Sequence, residues 1–367
     1  MADMEYRKLP HGGEDISIIG FGTGFNEFPG HETMVKTIRC ALDSGINLLD
    51  LTPWDARMLG AFGEALMGRR EDAYLQMHFG SDYPSGTYER IHGLDKVKKA
   101  VQWQMEQVGT DYIDFGFIHC LDDPQVLEDE FSNGTIGYLL KLRDEGVVRH
   151  VALSTHTPAI ANRILDEGFL DLLMFSINPA YDYQQGKYAF GQTDERAELY
   201  TRCMAEGVGI SVMKPFSKGQ LLDPALSPFG KALTVNQCLQ YALDKPGVVS
   251  VLPGIKGMDD LRGVLSFLDS TPEERDYSVV RTFSPPDVSG RCVYCNHCQP
   301  CPQGINVGLV NKYYDLVLAG DALAADHYMN LSLKAGDCVG CGHCSDVCPF
   351  HVDQVARMAD IRDHFGL

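Results

Sequence analysis

The feature that most constrains the fold of this chain is a regular alternation of short apolar runs with longer segments of helical periodicity, such as Leu94–Val108 and Val235–Asp244. Gly45, Gly168 and Gly207 each stand where such a helical segment would end. Eight strand–helix units in roughly 250 residues are typical of a (β/α)8 barrel. We therefore predict an α/β fold of TIM-barrel type, with a doubly wound open sheet as the alternative. The eight apolar runs are Ile16–Gly24, Asn47–Thr52, Ala73–Gly80, Tyr112–Cys120, Val148–His156, Leu172–Asn178, Gly209–Phe216 and Val248–Gly254.

Polar side chains close most of these runs. Asp50 lies near the end of the second run, His78 near the end of the third and His119 near the end of the fourth. The later runs end in Ser154, His156, Asn178 and Lys214. Because active sites in barrels form at the C-terminal ends of the strands, this gathering predicts one site at one rim. The alternative is that each side chain is a hydrogen-bonded polar group of the core, which is the usual role of a lone histidine.

Eight of the 12 cysteines form two runs near the C-terminus. The second run, which ends in Cys348-Pro349, reads C-x2-C-x2-C-x3-C-P and is typical of a ferredoxin-type [4Fe–4S] site; the first differs only in its last spacing. In two-cluster modules the fourth cysteine of each run ligates the other cluster. We therefore predict two [4Fe–4S] clusters, with structural zinc or disulfides as the alternatives. The predicted ligand sets are Cys292, Cys295, Cys298 and Cys348 for one cluster, and Cys338, Cys341, Cys344 and Cys301 for the other.

Composition and charge narrow the class of protein. The formal net charge is −19, which argues against nucleic acid and anionic membranes as partners. No run reaches the roughly 20 apolar residues of a membrane span, and the N-terminus does not read as a signal peptide. The cysteine usage indicates a reducing cytoplasm, and exposed clusters indicate low oxygen. We predict a barrel domain over residues 1–282 and a small α-rich dicluster domain over 283–367.

Several motifs make the chain similar to the aldo/keto reductases, and within them to a branch that carries a C-terminal two-cluster ferredoxin-type domain. The resemblance covers nearly the whole chain and implies a barrel of aldo/keto reductase type. The motifs are Gly20-Phe21-Gly22-Thr23-Gly24, Gly45-Ile46-Asn47-Leu48-Leu49-Asp50, Asp111-Tyr112-Ile113-Asp114, Ile118-His119, Leu153-Ser154-Thr155-His156, Val212-Met213-Lys214-Pro215 and Leu252-Pro253-Gly254.

The resemblance implies a catalytic set of Asp, Tyr, Lys and His, and this sequence departs from it at two positions. Asp50 and His119 match, whereas the tyrosine position holds Asp55 and the lysine position holds His78. An aspartate is normally ionised at neutral pH and is a poor proton donor. We hypothesise that His78 and His119 form a general acid/base pair that Asp50 orients, within a non-standard set that includes Asp55.

Two tyrosines stand near the predicted rim. Tyr83 and Tyr88 follow the third run and are the nearest tyrosines that would reach the barrel mouth. We interpret both as packing residues of their loop, with a position in the mouth as the alternative.

Two glycine-containing loops are candidates for binding a cofactor phosphate. They are residues 215–219 and 253–257, and each adds a lysine, Lys218 or Lys256. The resemblance implies NADP(H) in this region. Iron–sulfur clusters pass single electrons, so FMN is an alternative, and neither cofactor is a third possibility. Plain βα turns would also explain both loops. The candidate cofactor-binding residues are Ser154, Asn178, Lys214, Lys218, Gly254 and Lys256.

The leading functional hypothesis is an iron–sulfur oxidoreductase. It would reduce a small organic substrate in the barrel mouth with electrons from a ferredoxin, a flavoprotein or the nicotinamide pool. One alternative is a lyase or isomerase that uses His78 and His119 for proton chemistry. A second alternative is a non-catalytic electron-transfer adaptor.

Overall fold

The computed structural model describes residues 3–25, 27–183, 188–282, 290, 292, 294, 298–318, 321, 323–348 and 350–366. The strands within these ranges are β1 (Tyr6–Lys8), β2 (Asp15–Ser17), β3 (Leu48–Asp50), β4 (Tyr74–Phe79), β5 (Ser81–Asp82), β6 (Glu89–Arg90), β7 (Ile113–Ile118), β8 (Val148–Thr155), β9 (Leu172–Ser176), β10 (Gly209–Met213) and β11 (Val248–Leu252).

Helices follow most of the long strands. They are α1 (His31–Asp43), α2 (Arg57–Ala65), α3 (Leu94–Val108), α4 (Pro124–Ser132), α5 (Thr135–Asp144), α6 (Pro158–Leu165), α7 (Pro179–Asp182), α8 (Thr193–Ala205), α9 (Val235–Leu243), α10 (Met258–Leu265), α11 (Pro272–Arg275), α12 (Val307–Leu318), α13 (Ala324–Met329), α14 (His343–Asp346) and α15 (Gln354–Phe365).

The central sheet is parallel and closes on itself. Seven strands pair in the order β11-β10-β9-β8-β7-β4-β3. The extended segment 18–22 bridges both edges, because Ile19 pairs with Val251 and Phe21 pairs with Leu49, both in parallel. The prediction of a (β/α)8-type barrel is therefore confirmed. Gly22 is required at this closure, since a Cβ there would lie 2.6 Å from the carbonyl oxygen of Leu252.

The first predicted run is not one continuous strand. Its start, β2, pairs antiparallel with β1, and only the residues that follow enter the barrel. Inside the sheet, alternate strand residues such as Phe115, Phe117 and Met174 form a separate apolar cluster that includes Leu9 from the β1–β2 hairpin. The hairpin thus contributes to the packing of the barrel interior.

Glycines end several of the helices. Gly45, Gly168 and Gly207 have φ angles of 88°, 71° and 73°, in the left-handed region that favours glycine. They follow α1, α6 and α8 within three residues of the last helical position. The predicted helix stops are confirmed at these positions.

The C-terminal region packs on the barrel and also has a small core of its own. Lys312 of α12 donates through Nζ to the carbonyl oxygen of Asp244 (3.2 Å). The ring centroids of Tyr183 and Phe350 lie 5.7 Å apart. A second core of nine buried residues lies among α12, α13 and α15 and includes Tyr328. The predicted boundary between residues 282 and 283 adjoins 283–289, which lie outside the described residues, and it stays a prediction.

Within the described ranges, no helix has the length and apolar character that crossing a membrane requires.

Candidate active site

One chain of side-chain hydrogen bonds crosses the C-terminal rim of the barrel. Thr23 Oγ1 donates to Asp50 Oδ2 (3.1 Å). Asp50 Oδ1 lies 3.0 Å from His78 Nε2. His78 Nδ1 lies 2.8 Å from His119 Nδ1, and His119 Nε2 lies 2.6 Å from the Tyr88 hydroxyl. The structure therefore brings together three of the predicted catalytic residues. We call the chain from Thr23 through Asp50, His78 and His119 to Tyr88 the relay.

The relay fixes the tautomers of both histidines when they are neutral. A carboxylate only accepts hydrogen bonds, so His78 Nε2 carries the hydrogen that faces Asp50. The Nδ1 atom of His78 then accepts, and His119 Nδ1 must donate to it. His119 Nε2 is left as an acceptor for the Tyr88 hydroxyl. The hydrogens of the neutral relay thus all point from Tyr88 toward Asp50.

Burial sets the charge states along the relay. His119 is buried, and desolvation, the neighbouring His78 and the Arg90 guanidinium hold its pKa well below the usual histidine value. Burial raises the pKa of the Tyr88 phenol, with the nearby Arg90 acting in the opposite direction. The His78 ring stacks on Phe117, with centroids 4.6 Å apart. At neutral pH, His119 is therefore an uncharged acceptor and Tyr88 is a protonated phenol.

A short hairpin carries Tyr88 into the mouth. β5 pairs antiparallel with β6, and Tyr88 immediately precedes β6. The backbone N–H of Tyr88 donates to the carbonyl of Trp54 (2.8 Å). The other loop tyrosine, Tyr83, packs against Trp103 with ring centroids 5.8 Å apart. The packing interpretation therefore fits Tyr83, whereas Tyr88 takes the alternative position and contacts His119.

Asp55 takes no part in the relay. Its carboxylate binds Arg57 through both oxygens, at 2.9 and 2.7 Å. The hydrogen bond from Arg57 lowers the pKa of this carboxyl. Asp55 is thus held as a carboxylate in an ion pair, and its membership of the catalytic set stays a prediction without a supporting contact.

A second network lies at the same rim, on the loops after β7, β8 and β10. His156 Nδ1 lies 2.9 Å from Asp122 Oδ2. The Lys214 ammonium lies 2.6 Å from His156 Nε2. The His156 ring stacks on Tyr188, with centroids 4.7 Å apart. Because an ammonium only donates, His156 accepts at Nε2 and carries its hydrogen toward Asp122.

Arg90 and Cys120 lie between the two networks. Arg90 Nη2 lies 2.8 Å from Cys120 Sγ. The backbone N–H of Cys120 lies 2.7 Å from Ser154 Oγ. Burial raises the pKa of the Cys120 thiol, with Arg90 acting in the opposite direction. Arg90 and Asp122 were not predicted from the sequence, since both lie outside the predicted strands and no motif marks them.

The predicted cofactor-binding residues at the strand ends are engaged in local contacts. Ser154 contacts the Cys120 backbone, and Asn178 donates from Nδ2 to the carbonyl oxygen of Lys214 (2.9 Å). The Lys218 ammonium lies 3.2 Å from the Tyr188 hydroxyl. The side chains of Lys214 and Lys218 therefore converge near one aromatic ring.

The second predicted phosphate loop is surrounded by carboxylates. Gly254 pairs with Gly22 at the barrel closure. Lys256 Nζ lies 3.6 Å from Glu27, and the Lys256 backbone N–H donates to Asp260 Oδ2 (2.9 Å). A phosphate at this end of α10 would have to compete with both acids. The local charge thus disfavours an anion there.

Four cysteines of one predicted ligand set line a single small cavity in the C-terminal region. They are Cys301, Cys338, Cys341 and Cys344. The apolar side chains of Ile305, Val307, Val355 and Met358 complete its wall. Soft thiolates in an apolar shell are the ligands that an iron–sulfur cluster takes, so these residues fit that group.

The other ligand set is described only in part. Cys292 and Cys298 are buried, and Cys348 is partly buried. Cys292 and Cys348 both pack against the main core of the barrel. Cys295 lies outside the described residues.

Comparison with known proteins identifies the barrel. Residues 18–232, more than half of the chain, match the model of the aldo/keto reductase family. L-galactose dehydrogenase of Arabidopsis thaliana is 26% identical over 296 residues, which cover 71% of this chain and 87% of that protein. The uncharacterized oxidoreductase YqkF of Bacillus subtilis is 24% identical over 292 residues, covering 71% of this chain and 89% of that protein.

Solved structures share the fold. The holo form of aldo-keto reductase AKR11C1 from Bacillus halodurans superposes with a TM-score of 0.63 at 22% identity, covering 76% of this chain and 95% of that one. An aldo-keto reductase from Klebsiella pneumoniae in complex with NADPH gives a TM-score of 0.57 at 17% identity, covering 77% of this chain and 96% of that one.

Proposed function

The chain belongs to the aldo/keto reductase family, and from that premise we propose that its barrel reduces a small organic substrate with electrons relayed through two [4Fe–4S] clusters. The protein is an oxidoreductase of aldo/keto reductase type. The observation that carries the proposal is the relay, which ends in a phenol at the rim where barrel enzymes bind their substrates. Tyr88 is the proton donor, so the catalytic set is Asp50, His78, His119 and Tyr88.

The relay delivers a proton when it holds one more hydrogen than in its neutral state. His78 is then an imidazolium stabilised by Asp50 and donates from Nδ1 to His119 Nδ1. His119 Nε2 donates to the Tyr88 oxygen, and the Tyr88 hydrogen is directed to the substrate. When the phenol gives that hydrogen to a substrate oxygen, each remaining hydrogen moves one place and His78 becomes neutral. Aligned acid–base groups of this kind contribute about 10²–10⁴-fold to rate.

The C-terminal cysteines are the proposed ligands of the two clusters. One set is Cys301, Cys338, Cys341 and Cys344, which line one cavity. The other is Cys292, Cys295, Cys298 and Cys348. Bound clusters supply one-electron transfer. On this proposal, residues 283–367 form a ferredoxin-type domain, and a ferredoxin or a flavoprotein is the electron donor.

NADP(H) remains the first alternative source of electrons, with FMN as the second. The complex of the Klebsiella pneumoniae reductase with NADPH supports a nicotinamide in this fold. On this alternative, Lys214 and Lys218 would be the positive groups for the phosphates of NADP(H). Ser154 and Asn178 would lie near the nicotinamide ring, and Gly254 and Lys256 would contribute from the loop after β11. The acids around Lys256 argue against this arrangement.

The test begins with anaerobically purified protein. We expect about eight iron and eight sulfide per chain, as two [4Fe–4S] clusters require. Reduced viologen is then offered as donor with a panel of small carbonyl and unsaturated compounds. Wild-type turnover is compared with that of Tyr88→Phe and of the control Tyr83→Phe. A loss of about 10²–10⁴-fold in kcat for Tyr88→Phe alone would support the proposal. Equal activity of all three proteins would contradict it.

A second candidate function is a lyase or isomerase that uses the relay alone. Glu27 and Asp260, the acids that contact Lys256, favour this candidate. They disfavour a dinucleotide phosphate at this loop, and proton chemistry needs no dinucleotide. Turnover of a substrate without any electron donor, lost in His78→Ala, would favour this candidate over reduction.

A further inference from the structure

We propose that the substrate carries a carboxylate, and that Lys214, Lys218 and Arg90 hold this group beside Tyr88. This inference rests on the proposed function, because it names the class of compound that the barrel mouth binds. Lys214 belongs to the second network at the rim, Lys218 contacts Tyr188 of that network, and Arg90 contacts the neighbouring Cys120. Within the part of the chain that the structure describes, none of them forms an ion pair with an acidic side chain.

Lys214 is a cation with uncharged partners. Its ammonium contacts His156 Nε2 at 2.6 Å and Met213 Sδ at 3.3 Å. It also lies 4.7 Å from the centroid of the Tyr188 ring. Burial lowers the pKa of His156, so that this histidine is neutral. A partly buried ammonium is costly, and Asp122 and Asp50 attract it without forming an ion pair with it. A carboxylate bound in contact with the ammonium would reduce that cost further.

Lys218 brings a second ammonium to the same ring. Its Nζ lies 4.8 Å from the centroid of Tyr188. Lys214, Ser217 and Lys218 have φ angles of 56°, 49° and 56°. L-residues other than glycine rarely adopt this left-handed backbone, because their Cβ atom comes too close to the following carbonyl oxygen. Such strain clusters at ligand-binding sites, where the surrounding structure maintains it.

Arg90 extends the positive charge toward the relay. Its guanidinium contacts the thiol of Cys120 and lies beside Tyr88, two residues away in the β5–β6 hairpin. Burial keeps that thiol protonated, and the Asp122 carboxylate attracts Arg90 without forming an ion pair with it. A substrate carboxylate between Arg90 and Lys214 would place the neighbouring carbonyl near Tyr88.

A metal ion is the competing occupant of this region. Ligand atoms of Cys120, Asp122 and His156 lie within 4.8 Å of one another. However, Arg90 contacts the first of these residues and Lys214 the third. These two adjacent positive charges outnumber the single Asp122 carboxylate, so the local charge opposes a divalent cation and favours an anion. We therefore assign the region to a carboxylate.

The experiment measures binding of pyruvate and acetate to the full-length, cluster-loaded protein by calorimetry, with pyruvamide and acetamide as uncharged counterparts. The variants are Lys214→Gln, Lys214→Arg and the control Lys141→Gln, a lysine on the outer helix α5. We expect the two acids to bind and the amides not to. Lys214→Gln should weaken binding of the acids at least tenfold, whereas Lys214→Arg and Lys141→Gln should bind within a factor of about three of wild type.

Three outcomes would overturn the inference. The first is equal binding of acids and amides. The second is weakened binding of NADPH, but not of the acids, in Lys214→Gln, which would assign the lysine to a cofactor phosphate. The third is binding of Zn²⁺ that Cys120→Ser abolishes. Tyr88→Phe separates this inference from the proposed function: carboxylate binding in that variant should equal wild type even though turnover falls. Unchanged turnover in Tyr88→Phe would sink the proposed function and leave the carboxylate site standing.

Discussion

The barrel mouth and the cysteine-lined cavity differ in how their reactive side chains are satisfied. In the relay, each polar atom has a partner on another side chain, from the Thr23 hydroxyl to the Tyr88 hydroxyl. In the cavity, four thiols line one small space. The mouth is therefore organised by the protein alone, whereas the cavity has the composition of a site that a bound group completes.

The two regions also differ in what supports them. In the relay, His78 lies in strand β4 and His119 directly follows strand β7, and both strands contribute residues to the main core. The cavity is enclosed by loops and short helices around nine buried residues. Because metal binding and folding are coupled in small sites of this kind, we expect the cavity region to depend on its cluster. The barrel should not depend on it.

The largest effect should come from removing ligands of one cluster. In the double variant Cys338→Ala/Cys344→Ala, iron should fall from about eight to about four per chain, and donor-dependent turnover should disappear. The barrel should keep its melting transition, since its core does not include these residues. Iron analysis and circular dichroism measure the two effects. The control Cys40→Ala, on α1, should retain all the iron. Full iron in the double variant would remove the cavity from the proposal.

The next largest effect is expected from breaking the relay, and combined variants test whether the relay acts as one unit. His78→Ala breaks the chain between Asp50 and His119. We expect kcat to fall about 10²–10⁴-fold, as expected for loss of a general acid. The double variant His78→Ala/Tyr88→Phe should be no slower than the worse single variant, because groups that act together are not additive. His31→Ala, on the outer helix α1, is the matched control. Multiplied losses in the double variant would mean that the two residues act separately.

A smaller effect is expected on the affinity for a carboxylate, which should change gradually with pH. Burial lowers the pKa of Lys214 to about 8. The charged form exists below this value, so carboxylate affinity should be constant from pH 6.5 to about 7.5. Above pH 8 it should fall toward tenfold per unit, because only the ammonium attracts the anion. Lys214→Arg should remain flat to pH 10. The titratable groups that face Lys214 are Cys120, Lys218, Asp122, Asp50 and His156. A flat profile in the wild type would contradict the role of Lys214.

Sequence patterns predicted the barrel because its strands are buried runs with a clear boundary at each end. The β1–β2 hairpin was not predicted. Its first strand, Tyr6–Lys8, is mostly exposed and polar, so it has no apolar run to mark it. The first barrel segment was predicted to begin too early. The hairpin strand Asp15–Ser17 runs directly into residues 18–22 of the barrel, so no boundary in the sequence separates the two.

The candidate site was predictable only where a strand end positions the side chain. Asp50, His78 and His119 were identified in this way. Tyr88 was not selected, because a hairpin of two-residue strands brings it to His119 and so short a pairing leaves no pattern. Asp55 was assigned by position in the family motif, but the adjacent Arg57 binds its carboxylate. Local ion pairs of this kind depend on side-chain geometry, which spacing does not determine.

The smallest effect is expected on folding stability, at the contact between α12 and the barrel. Lys312 of α12 is partly buried against the barrel. Desolvation, Arg7 and Lys245 lower its pKa to about 8, with Asp244 opposing. The lysine of the unfolded chain titrates near 10.5. The buried charge therefore destabilises the folded state below pH 8, and this cost disappears as the pH rises from 8 to 10.5.

Replacing Lys312 with methionine should thus stabilise the protein at pH 6.5 by about 1 kcal/mol, since an apolar side chain has no charge to desolvate. The difference from wild type should shrink toward zero at pH 9.5. Urea unfolding followed at both pH values measures this difference. The control is Lys334→Met, whose ammonium donates to the carbonyl oxygen of Leu331 within the C-terminal region. If Lys312→Met is instead less stable at pH 6.5, the hydrogen bond to the Asp244 carbonyl outweighs the cost of burial. In that case the hydrogen bond of Lys312 stabilises the packing of the cysteine-containing C-terminal region on the barrel.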